Sequence, residues 1–74
     1  MGSQVEILES IIVDYAGPMG KFVVRKSMAD LGLEGSQLPP ESQNQLIDMV
    51  LERAIFDKDR WNLIRREIQS AWGV

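Results

Sequence analysis

The Gly17-Pro18 pair in "DYAGPMGKF" constrains this chain more than any other feature, because it divides two stretches that both carry apolar residues at helical spacing. Upstream, Val5, Leu8, Ile12 and Tyr15, flanked by Ile11 and Ala16, make an apolar stripe with the period of an α-helix. The β-branched run "IIVDY" has strand character, but Val5 to Ala16 does not alternate strictly and no second strand candidate exists to pair with it. Gly17 can leave a helix in a conformation closed to most L-residues. Pro18 suits the first helical position, where its missing N–H would have no partner. The pair therefore predicts a tight corner between two helices.

Gly17, Gly20 and Lys21 also raise the alternative of a phosphate-gripping loop. That loop needs G-x-x-x-x-G-K-[ST], so that backbone N–H groups curl around phosphates and a hydroxyl holds magnesium. Here the glycines are too close together, Phe22 takes the hydroxyl position, and the segment before them reads as helix rather than strand. The corner explains the same residues with fewer demands. Gly20 then falls in the first turn of the second helix, where it costs up to about 1 kcal/mol relative to alanine and points to a close helix–helix approach.

Punctuation marks the remaining elements. "SQVE" reads as a capping box, with the Ser3 hydroxyl accepting from the Glu6 N–H and the Glu6 carboxylate reaching back to the Ser3 N–H. The second helix runs from Pro18 and stops at Gly32, with Leu33 as the apolar contact of a Schellman ending. Its expected buried side is Met19, Phe22, Val23, Lys26 and Leu31, widened by Val24 and Met28. "EGSQ" reads as the most flexible stretch. Pro39 and Pro40 then set up a third helix to Ile55, whose apolar residues cover more than half its circumference. Asp57 reads as the N-cap of the last helix, and Phe56 and Trp61 stand at the positions of a hydrophobic staple. Trp61, Ile64, Ile68, Ala71 and Trp72 form its expected inner stripe, and Gly73 closes it. The reading is all-α: one domain over residues 1–74, a compact bundle of four short helices.

Composition narrows the chemistry. The 74 residues include no cysteine and no histidine, which removes disulfides, thiolate chemistry, classical zinc sites and imidazole catalysis. No cofactor or metal is expected, and no catalytic residue. The carboxylate pairs Glu6 with Glu9 and Asp48 with Glu52 are neighbours on single helices, expected to be solvated rather than converging in a pocket. No apolar run approaches the roughly 20 residues of a membrane span. "MGSQVEILES" lacks a signal-peptide pattern, and Glu6 stands where N-myristoylation prefers Ser or Thr. A cytoplasmic location is the expectation. The net charge of −3 runs against a general nucleic-acid binder. Lys58, Arg60, Arg65 and Arg66 nevertheless keep a rival reading in view, a small DNA-binding regulator using the C-terminal helix. Asp57, Asp59 and Glu67 interrupt that patch.

"DYAGPMGKFVV" resembles a small helical domain of undefined function found at the ends of prokaryotic signalling proteins, attached to serine/threonine kinase or response-regulator modules. Tyr15, Gly17, Pro18, Met19, Lys21, Val23 and Val24 carry the likeness. "LIDMVLERAI" and "DKDRWNLIRREI" are comparable with that domain's later helices, and Gly20 stands where its pattern more usually has alanine. The resemblance implies an accessory interaction module with no catalytic residues. The reading is a protein–protein contact module whose partner is another protein or a second copy in a homodimer. The apolar excess of the third helix places the expected interface at Met49 and Ile55 together with Trp72.

Overall fold

The computed structural model describes residues 3–33 and 38–73. The "EGSQ" stretch expected to be flexible and the Gly2 considered for lipidation lie outside these residues. Four α-helices follow in order: α1 Gln4–Ala16, α2 Met19–Asp30, α3 Pro40–Ala54 and α4 Trp61–Trp72, the last entered through a 3₁₀ turn at Lys58–Arg60. They form an all-α four-helix bundle of 28 × 24 × 22 Å.

Local chemistry places the helix ends. The Ser3 hydroxyl accepts from the Glu6 N–H at 3.1 Å and caps α1. The Glu6 carboxylate meets the Ser3 hydroxyl at 3.5 Å instead of the backbone N–H, so only half of the expected box forms. At the corner, Gly17 takes φ 82° and its N–H donates to the Val13 carbonyl at 2.8 Å. Pro18 follows with φ −56° and turns the chain into α2. The Gly17-Pro18 pair is thus a helix–helix corner. The far end of α2 is a full Schellman closure: Gly32 takes φ 71°, Leu33 N–H donates to Met28 O at 2.9 Å, and Gly32 N–H to Ala29 O at 3.1 Å.

A single apolar cluster joins all four helices. Val5, Leu8, Ile11 and Ile12 come from α1, Val24 and Met28 from α2, Leu46, Ile47, Val50 and Leu51 from α3, and Ile64 and Ile68 from α4, with Leu38 and Ile55 from the connections. Each such side chain contributes about 1.5–3 kcal/mol on burial. α2 packs on α1 and α3, and α4 lies along α1. The α1 stripe is as expected. In α4 the inner side is Ile64 and Ile68 with Trp61 and Trp72 half-buried, whereas Ala71 faces solvent.

The face of α2 differs in part from the expected one, of which Val24 and Met28 are buried and Val23 and Leu31 pack against the core. Its buried side is Gly20, Val24, Ser27 and Met28, while Met19, Phe22 and Lys26 lie outside. The reason is packing distance. A Cβ at position 20 would sit 2.8 Å from Ile12 Cγ2 and 3.0 Å from both Ile12 C and Val13 N, so α2 rests directly on the backbone of α1. That close approach turns Gly20 and Ser27 inward and leaves Met19 and Phe22 on the opposite side. Phe56 is a second difference. It is 96% exposed and forms no staple; Asp57 caps the 3₁₀ turn by accepting from Asp59 N–H at 3.0 Å, and Trp61 is held by its own indole N–H, which donates to Ile55 O at 2.9 Å.

Gly20→Ala tests the close approach. Alanine's helix preference alone would stabilise α2 by about 1 kcal/mol. Because two of the three nearest atoms are backbone, the expected result is instead a loss of about 1–3 kcal/mol. Thermal unfolding would show it as a fall of about 4–8 °C per kcal/mol; an unchanged or raised midpoint would rule the packing out.

Candidate interaction surfaces

The side chains singled out from sequence do not converge on one surface. Ile55 belongs to the core with 7% of its surface accessible, so it offers nothing to a partner. Met49 is half-buried. Trp72 is half-buried against the core, and its indole N–H donates to Gln4 O at 3.0 Å, fastening the end of α4 to the start of α1. The apolar excess of α3 is consumed by the fold itself, since Leu46, Ile47, Val50, Leu51 and Ile55 are all buried.

Polar groups bridge α2 to its neighbours at two places. Glu9, expected in solvent, is buried on α1 and holds Arg25 of α2 through its carboxylate. Asp30 at the end of α2 sits between Arg53 Nη1 at 2.7 Å and Lys26 Nζ at 3.4 Å, and Arg53 also donates to the buried Ser27 hydroxyl at 3.3 Å. The Arg53 hydrogen bond, helped by Lys26, holds the Asp30 carboxyl below its ordinary pKa. Among the described residues every buried side-chain nitrogen or oxygen has a partner. No group of three or more acidic side chains is placed to hold a metal ion, and no helix is long and apolar enough to cross a membrane, again among those residues.

The basic side chains of the last helix and its entry turn are engaged in part. Arg65 pairs with Asp48 of α3, Arg60 lies 3.7 Å from Asp57, and Lys58 sits 5.7 Å from the Trp61 ring centroid. Arg66 is exposed.

Besides a polar groove of about 450 Å³ between α1 and α2, lined by Glu6, Glu9, Asp14, Lys21 and Arg25, two features are open to a partner. The first is a cleft of about 440 Å³ where the end of α1 meets the α3–α4 corner, floored by Ala16 and Ala54 and bordered by Tyr15, Phe56, Asp57 and Arg60. Tyr15 donates its phenolic O–H to Glu67 Oε1 at 2.7 Å. The second is the outer face of α2. Met19 is 65% and Phe22 63% exposed, on the side opposite the packed Gly20, Val24, Ser27 and Met28. Sequence periodicity registered Met19 and Phe22 as an apolar stripe but assigned it to the core. The signal that assigns it outward is the smallness of Gly20 and Ser27 on the other side.

No family model, curated protein or solved structure matches the chain.

Tyr15 gives a test of the cleft's geometry. The hydrogen bond to Glu67 raises the phenol's pKa, with smaller contributions from desolvation and the Glu67 charge, because ionisation would set phenolate against carboxylate. A raised folded-state pKa contributes stability that is fully present below about pH 10, the ordinary phenol range, and is lost as pH rises through the folded value. The chain has a single tyrosine, so phenolate absorbance reports Tyr15 alone. Native protein should titrate above the unfolded chain, and Glu67→Gln should bring the midpoint down; equal midpoints in native and unfolded protein would show that the contact does not form.

Proposed function

We propose that this chain is a non-catalytic protein–protein interaction module of the cytoplasm, accessory to prokaryotic signal transduction. One observation carries the docking part of that reading: Phe22 stands in the outward arc of α2 with Met19 one turn before it, both more exposed than buried. A lone exposed apolar residue needs no explanation. Two on successive turns of the same outer face, one of them aromatic, are the composition of an interface core. The fold does not need them. Neither residue belongs to the core cluster. The signalling part rests on the likeness of the Gly17-Pro18 corner and its flanks to domains attached to kinases and response regulators. The net charge of −3 and the engagement of Arg60 and Arg65 with carboxylates favour a protein partner over DNA.

A photo-crosslinking amino acid at position 22 tests this directly, with the same group at the exposed Asn44 of α3 as the comparison. The position-22 protein should yield a discrete adduct in its native cells that position 44 does not. Mass spectrometry of the adduct is expected to find a kinase, a response regulator or a protein that one of them modifies. Phe22→Ser should unfold at the native temperature and abolish the same association. Identical adducts from both positions, or tight binding of duplex DNA at low salt with no protein adduct, would overturn the reading.

A further inference from the structure

The outer face of α2 has the geometry of half a short coiled coil, and the structure assigns it an occupant of particular chemistry: we propose that it takes an acidic amphipathic helix from a protein partner. This rests on the docking reading above and deepens it. Met19, Phe22, Lys26 and Ala29 succeed one another at spacings of three, four and three residues, the a and d positions of a heptad, and all are exposed. They cover about 15 Å of helix, two turns and more, opposite the side that packs on α1 and α3. A helix presenting apolar residues at its own a and d positions can interdigitate with such a seam.

Charge selects among helices. Lys26 interrupts the seam itself, Arg25 flanks it on one side with Lys21 a turn before it, and Asp30 flanks it on the other. The acidic groups near these bases are Asp30, 3.4 Å from Lys26, Glu9, buried under Arg25, and Glu6 and Asp14, which line the same groove as Lys21 and Arg25. Arg25 and Lys26 keep most of their own surface in solvent, at 57% and 60%. On a chain of net charge −3, α2 itself carries three bases, Lys21, Arg25 and Lys26, against one acid, Asp30. A basic residue at one seam position disfavours an apolar or basic group opposite it and favours a carboxylate. A second copy of the chain is the wrong partner for this face. A two-fold contact is self-complementary, so Phe22 against Phe22 would bring Lys21, Arg25 and Lys26 of both copies together. The other exposed apolar side chain on a helix of the bundle, Leu63, has Arg60 and Arg66 three residues away and Asp59 and Glu67 four away, so α4 presents a mixed surface rather than an acidic apolar strip.

The probe is a synthetic helix of about three heptads, capped at both ends, with leucine at a and d, glutamate at one central a position, and glutamate at e and g. Its counterpart carries lysine at every glutamate. Amide shifts of labelled full-length protein report both affinity and place. The glutamate peptide is expected to bind with shifts centred on Met19–Ala29, and the lysine peptide at least about tenfold more weakly. Phe22→Ser should lose about tenfold or more in affinity at unchanged melting temperature, and Lys26→Glu should reverse the preference between the two peptides. Equal binding of both peptides, shifts centred on the Phe56 cleft instead of α2, or a dimer that Phe22→Ser abolishes would each overturn the proposal. If the peptides fail while cross-linking from position 22 still captures a defined protein, the acidic helix falls and the docking reading survives; if both fail, neither stands.

Discussion

The contact between Gly20 of α2 and the Ile12–Val13 backbone of α1 fixes more of this molecule than any other interaction. A Cβ at position 20 would already lie 3.0 Å from two main-chain atoms, so any larger residue must push the two helices apart. That proximity determines how α2 is rotated about its axis. Gly20 and Ser27, seven residues apart and therefore on one side of the helix, both face inward with Val24 between them. The inward serine keeps a partner because Arg53 reaches it from α3. The Gly17-Pro18 corner delivers α2 to this position, since Gly17 at φ 82° ends α1 only three residues before Gly20.

The surface follows from that rotation. A helix of 12 residues with apolar groups on both sides cannot bury both in a bundle of this size. The close approach settles the choice in favour of the small side, and Met19 and Phe22 remain in water. The electrostatics reinforce the same orientation. Arg25 is drawn to Glu9 on one flank of α2, and Arg53 and Lys26 meet at Asp30 on the other, so ion pairs clasp the helix from both neighbours. Partly exposed pairs of this kind contribute modestly to stability. Their greater effect is directional, because they oppose a turn of α2 that would carry Phe22 inward.

Features decided within a few residues were legible in the sequence. The Ser3 cap, the Schellman closure at Gly32 and Leu33 and the inner stripe of α1 depend only on neighbours in the chain, and they stand where spacing puts them. Choices made across helices were not. Glu9 looks like any solvated acid until Arg25, sixteen residues on, is laid beside it. Phe56 and Trp61 have staple spacing, yet Trp61 finds the Ile55 carbonyl and leaves Phe56 outside. The apolar breadth of α3 resembled an interface only because the number of helices packed around it cannot be counted in the sequence, and Ile55 is core for that reason. For α2 both apolar sides were visible, and the residue sizes that rank them matter only once α1 is in place.

The docking surface therefore exists because of an internal packing choice, and the orientation of α2 is what everything else presupposes. The chain contains no cysteine, so single cysteines placed on α2 report its rotation without interference. The rate of thiol alkylation in native protein should be fast at position 22, close to that of the unfolded chain, and strongly suppressed at position 24. Protection at position 22 with ready labelling at position 24 would mean that α2 buries its other side, and the surface described for it would not exist.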